Sequence, residues 1–229
     1  MLTSHLKTSE REPFPYALYT PQGFDPADGK KWPLVIFLHG AGEVGTDLEG
    51  VFVHGLPKRI RAGEEFPFIA AMPQMYPGGI WSCHIESLNC WLDFLLETLP
   101  VDADRVYATG LSMGGTGVWC WVSEYASRFA AVVPVCGVGI RFAASRMTDL
   151  PIWMFHGDSD PVVLPVESEM MNDGLIATGA REVRYTVYAG CGHDCWKYAY
   201  SDERMYEWLL SKNRAARPQP LSPYRETIR

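Results

Sequence analysis

Apolar residues fall in short continuous runs that stop at glycine or proline, and between the runs they recur at helical spacing. Residues 33–38, Pro-Leu-Val-Ile-Phe-Leu, run into His39-Gly40 and predict a strand buried on both faces, followed by a turn. Residues 68–72, 105–109, 129–135 and 151–155 predict four more such strands, ending near Pro73, Gly110, Pro134 and His156-Gly157. Residues 183–188, Val-Arg-Tyr-Thr-Val-Tyr, alternate and predict a half-exposed strand near a sheet edge. Between the strands, residues 86–99, 114–125, 166–177 and 203–210 predict helices; in the first, Leu88, Trp91, Leu92, Leu95, Leu96 and Leu99 share one face. Alternating strands and helices imply an α/β fold, a mostly parallel sheet with helices on both faces.

The chain has 229 residues, 47% of them apolar and 21% charged, enough to bury a core without staples and too apolar for general disorder. No linker interrupts it, so one domain over 1–229 is expected, with a core over about 16–211 and a surface tail over 212–229. Lys and Arg number 20 against 27 Asp and Glu, a net charge of −7, which argues against a nucleic-acid partner. No apolar run is long enough to cross a bilayer, so no membrane partner is expected. The first fifteen residues lack the apolar stretch of a secretory signal; the expectation is a cytoplasmic protein, with export open if such a segment was removed. Six cysteines are too sparse for a disulfide framework and read as free thiols.

Chemistry gathers at three strand ends. Gly110-Leu-Ser112-Met-Gly114 lies between a predicted strand and a predicted helix. A sharp turn there exposes the Ser112 hydroxyl, and the helix N-terminus faces any negative charge that develops beside it. His156-Gly-Asp158-Ser-Asp160 offers two carboxylates to orient an imidazole. Asp160 is placed to return toward the nucleophile, and Asp158 suits a turn-bracing role. Gly190-Cys-Gly-His193 puts an imidazole in a glycine-rich loop. The order Ser112, Asp160, His193 is that of the α/β-hydrolase triad. Acyl transfer also needs two donors for an oxyanion; Met113 N–H supplies one, and Ala41 N–H in the His39-Gly-Ala-Gly42 turn the other, with Gly42 as alternative.

With these stretches in place the chain resembles the α/β-hydrolase superfamily, in its dienelactone-hydrolase-like or phospholipase/carboxylesterase-like branch. It is similar in particular to bacterial esterases labelled predicted peptidases or polyhydroxybutyrate-depolymerase-like. The resemblance rests on residues 32–47, 101–115, 128–137, 156–163 and 192–196. It implies an α/β-hydrolase fold with little or no lid, a Ser112–His193–Asp160 triad, and ester hydrolysis with no metal and no cofactor. Cys195 departs from the pattern, where serine is expected.

Trp81, Gly42, Glu43 and Trp196 are candidates for the substrate pocket; Glu43 also suits a loop-bracing role, and His54 and His84 read as core or surface. Cys191, His193 and Cys195 have zinc-ligand chemistry, but zinc would consume the base and lacks a fourth ligand; a Cys191–Cys195 bridge is the lesser alternative to free thiols. The chemistry expected is hydrolysis of small-molecule esters with short acyl chains of about C2 to C6, because little sequence is left over for a lid and pocket size sets the limit. Alternatives are feruloyl or acetyl-polysaccharide esters, a peptidase or amidase, and, from another class, a binding module without activity. Either a monomer or a homodimer is compatible with this sequence.

Overall fold

A computed structural model describes residues 1–6, 9–216 and 224–228. The strands are β1 (Leu2–His5), β2 (Tyr16–Tyr19), β3 (Trp32–Leu38), β4 (Ile69–Pro73), β5 (Val101–Leu111), β6 (Ala131–Val135), β7 (Ile152–Gly157), β8 (Val183–Tyr188) and β9 (Tyr224–Ile228). The helices are α1 (Gly55–Arg61), α2 (Ile85–Thr98), α3 (Met113–Tyr125), α4 (Val166–Ala177), α5 (Trp196–Ala199) and α6 (Glu203–Leu210). One sheet has the order β1-β2-β4-β3-β5-β6-β7-β8-β9. Strands β3 to β9 run parallel, and β1 and β2 add an antiparallel edge.

The apolar runs are explained by this sheet. Successive side chains of a strand point to opposite faces. Leu34, Ile36 and Leu38 join one core with α2, α3 and α4, whereas Val35 and Phe37 join a second core with α1 and α6. With helices on both sides, every position of β3 is buried. The first core holds Trp81, Trp91, Trp119 and Trp121, all fully buried, each of which would cost about 3–5 kcal/mol if cut to alanine.

Two expectations need correction. Strand β8 is nearly fully buried rather than half exposed, because β9 pairs along its outer edge from Arg184↔Tyr224 to Tyr188↔Ile228. The stretch after Ser211 therefore is not all a surface tail; its residues 224–228 complete the sheet, and residues 217–223 lie outside the described residues. The long segment between β3 and β4 lays Val51, Phe52, Leu56 and Ile60 onto the second core. Among the described residues no helix is long and apolar enough to cross a membrane.

The topology sets the place of the site. From β3 the chain crosses to β4 on one side, and from β5 it proceeds to β6 on the other. The sheet order thus reverses between the adjacent strands β3 and β5, and the crevice beyond their carboxyl ends is where an open α/β sheet binds its ligand. The 39–43 turn and Ser112 occupy those two ends.

Candidate active site

Ser112 sits between β5 and α3 with φ 53° and ψ −117°, a conformation costly for any residue but glycine. It is held by two backbone bonds: Ser112 N–H donates to Val135 O (2.9 Å), and Thr116 N–H donates to Ser112 O (2.9 Å). The flanking glycines are required by packing. A Cβ on Gly114 would lie 1.9 Å from Leu38 O, and one on Gly110 would lie 2.6 Å from Gly114 C. The turn is tight because α3 starts directly against the end of β3.

Three predicted residues meet here. His193 Nε2 lies 2.8 Å from Ser112 Oγ, and His193 Nδ1 lies 2.7 Å from Asp160 Oδ2. The Asp160 carboxylate is buried while His193 stays 17% exposed, so the far end of the line is dry and the near end is open to a substrate. Asp160 Oδ1 accepts the Val162 and Val163 amides at 2.8 and 3.0 Å. Burial alone would push the Asp160 carboxyl up; the hydrogen bonds from His193, Val162 and Val163 outweigh it and hold the group below its ordinary value. Asp158 instead braces the histidine loop, accepting Gly190 N–H at 2.7 Å.

A fourth side chain escaped the sequence reading. His156, fully buried at the end of β7, places Nε2 3.2 Å from Asp160 Oδ2 and 2.9 Å from Val163 O. Both are acceptors, so Nε2 carries a proton. Burial drives the His156 pKa down, against the pull of Val163 O and Asp160, so the ring is neutral and Nδ1 accepts from Ser168 Oγ at 2.7 Å. Asp160 thus receives four donors. In the sequence His156 looks like the last residue of a strand; the sign of a polar role was its imidazole at a position otherwise filled by apolar side chains.

The two oxyanion candidates follow the ends of the adjacent strands β3 and β5. Met113 is the first residue of α3, so its N–H has no acceptor within the helix. Ala41 opens a 3-10 turn over Ala41–Glu43. That turn is fixed from behind. Met75 N–H donates to His39 Nε2 (2.9 Å), His39 Nδ1–H to Gly40 O (2.6 Å), and Gln74 Nε2 to Glu43 O (3.1 Å). Burial lowers His39 to about 4, against a smaller pull from Gly40 O, which keeps the ring neutral.

A cavity of about 280 Å³ opens beside Ser112, with Gly42, Glu43, His54, Val162, His193 and Trp196 on its walls. Gly42, Glu43 and Trp196, three of the pocket candidates, line this cavity. Trp196 also packs edge-on against His193, with ring centroids 5.2 Å apart. The Glu43 carboxylate is 4% exposed and 3.6 Å from His54 Nε2; burial raises its pKa, partly offset by His54 and the nearby amides. Trp81 is a correction. It is fully buried beneath the 39–43 turn, donating Nε1–H to His39 O at 3.0 Å, and it lines no part of this cavity. Its loop does leave the crevice end of β4, but the indole turns back into the core against Gly117.

All six cysteines are free. Cys191 Sγ contacts Gly192 O, and Cys195 is buried against Cys136. The cysteine that approaches the site is Cys136, whose Sγ lies with the ligand atoms of Asp160 and His193 within 4.8 Å of one another.

Residues 87–215, more than half of the chain, match the dienelactone hydrolase family. The chain belongs to the dienelactone hydrolase family. It is 26% identical over 223 residues to a poly(3-hydroxyoctanoate) depolymerase of Pseudomonas fluorescens, covering 83% of this chain and 77% of that protein. It is 24% identical over 151 residues to a bifunctional acetylxylan esterase/xylanase of Neocallimastix patriciarum, covering 64% of this chain and 21% of that protein. The crystal structure of a thermostable esterase superposes with a TM-score of 0.78 at 31% identity, covering 93% of this chain and 63% of that one. A feruloyl esterase module from Clostridium thermocellum has the same fold, with a TM-score of 0.71 at 15% identity and coverage of 93% and 87%. This family member therefore has the α/β-hydrolase fold, and it spans only part of the length of the xylanase and of the thermostable esterase.

Proposed function

We propose that this chain is a serine carboxylester hydrolase that acts on esters with short acyl groups. The observation that carries the reading is the continuous line Ser112 Oγ–His193 Nε2 (2.8 Å) and His193 Nδ1–Asp160 Oδ2 (2.7 Å) on a strained turn at the crevice. Ser112 Oγ attacks the carbonyl carbon while His193 Nε2 takes its proton. Asp160 keeps the proton of His193 on Nδ1 and stabilises the imidazolium that forms. The Met113 and Ala41 amides receive the charge on the carbonyl oxygen. His193 then hands its proton to the departing alcohol. Water attacks the acyl-enzyme, with His193 again as base, and releases the acid.

The cavity of about 280 Å³ supports a short acyl group. Hydrolysis of p-nitrophenyl esters from acetate to palmitate tests this reading: the best substrates should have acyl chains of about C2 to C6. A profile that climbs to palmitate would overturn the acyl-length assignment. The relationship to the acetylxylan esterase/xylanase favours one narrower version, in which the acyl group is acetate on a polysaccharide.

His156 should matter through Asp160. His156→Phe removes one donor from a buried carboxylate, and turnover of the short ester should drop about 10–100-fold. His156→Gln, which keeps an N–H, should recover part of that loss. Equal losses for the two variants, at equal melting temperature, would remove His156 from this role.

A further inference from the structure

A second cavity, of about 290 Å³, adjoins the one beside Ser112. Gly55, Lys58 and Ala62, in α1 and at its end, form one side of it; Trp196, Lys197 and Tyr200, in α5 and at its end, form the other. The two cavities have two residues in common, His54 and Trp196. His54 immediately precedes α1 and Trp196 opens α5, and their rings meet with centroids 5.4 Å apart. The ring pair therefore stands where one cavity would run into the other.

His54 has no part in the triad, and local structure gives its side chain no task. It is the N-cap residue of α1 but makes no side-chain capping bond. Its Nε2 stands 3.6 Å from Glu43 Oε1, too far for a hydrogen bond, and its side chain is 35% exposed. What the imidazole does in this position is fill space at the edge of the Ser112 cavity.

We infer that the His54 and Trp196 rings are the end wall of the acyl site and that His54 sets the longest acyl chain accepted. The inference rests on the ester-hydrolase reading above, with the acyl group in the Ser112 cavity. Apart from the 40–43 turn, Leu111, Ser112 and His193, the walls that an acyl chain can meet are His54, Val162 and Trp196. Val162 is 68% exposed and belongs to the open rim, which leaves the two rings to stop the chain. Trp196 is backed by His193, at 5.2 Å between centroids, so His54 is the ring whose size decides the limit. Beyond the wall, Arg59 has its guanidinium engaged by Glu64, Glu203 and the Tyr200 carbonyl, and Lys197 is paired with Asp194. These neutralised groups leave their methylene stems to cover an alkyl chain. Truncating His54 joins two spaces of nearly equal size and roughly doubles the room for the acyl group.

p-Nitrophenyl butyrate and octanoate test this, read as the ratio of their kcat/KM values, because a ratio cancels any general loss of activity. In His54→Ala the octanoate-to-butyrate ratio should rise about tenfold or more over that of the parent, as the added methylenes find cover. In His54→Phe, which keeps a ring without its nitrogens, the ratio should stay within about twofold of the parent. The backbone at His54, φ −135° and ψ 166°, suits alanine and phenylalanine alike, so both variants should fold, and melting temperatures are measured alongside. A ratio unchanged in His54→Ala, or one that rises as much in His54→Phe, would overturn the wall and leave the esterase reading standing. A parent protein that turns over neither ester would strike the esterase reading itself, and the wall with it.

Discussion

Replacing Ser112 with alanine should lower turnover of a short-chain p-nitrophenyl ester by about 10⁴–10⁶-fold, and His193→Ala should do nearly the same. The size of the effect follows from the two groups working as a unit. A serine hydroxyl is a weak nucleophile until a base takes its proton, and His193 is 2.8 Å from it. With either partner gone, the donors at Met113 and Ala41 still polarise a bound carbonyl, so a residual rate above water should survive. The double variant Ser112→Ala/His193→Ala should therefore lose hardly more than either single one. Additive losses, or a Ser112→Ala protein with near-full activity after repurification, would contradict the assignment. The measurement is a pair of progress curves at matched protein concentration, with melting temperatures to show that the variants fold.

The largest structural effect should come from Gly114→Ala. Its Cβ would sit 1.9 Å from Leu38 O, 2.5 Å from Leu38 C and 2.7 Å from His39 O. All three are backbone atoms, so no side chain can swing aside. Helix α3 must withdraw from the end of β3, at a cost of roughly 3 kcal/mol or more. For a chain of this size that corresponds to a fall in melting temperature of about 6–12 °C. The same withdrawal separates the Met113 amide from the Ala41 turn, so the protein that remains folded should also lose about 100-fold or more in turnover. Gly42→Ala is the control for stability, because a Cβ there meets nothing within 4 Å. Its melting temperature should stay close to that of the parent. A Gly114→Ala protein as stable and as active as the parent would mean that α3 does not press on β3 as described.

The parts legible in the sequence are those with a one-dimensional signature. Buried parallel strands read as apolar runs because both faces are covered, and each run ends where the backbone turns into the crevice. Ser112, Asp160 and His193 stood out because each follows such a run within a glycine-rich or aspartate-rich turn, in the chain order of one known arrangement. Strands β1, β2 and β9 were not legible. They are four or five residues long, and what makes them strands is a neighbour far away in sequence, as in Tyr16↔Pro73 or Tyr188↔Ile228. The Trp81 error has the same origin. A loop at the crevice end of β4 can send its indole outward or back beneath the 39–43 turn, and the choice depends on the hole left by Gly117 in α3. His156 was hidden by its position within a strand.

The central claim is that Ser112 is a covalent nucleophile activated by His193. Labelling with a fluorophosphonate followed by peptide mapping tests it most directly. The account predicts one adduct, on Ser112, formed quickly in the parent, slowly in His193→Ala and not at all in Ser112→Ala. An adduct on another residue, or ester turnover by a protein that takes no label, would contradict it.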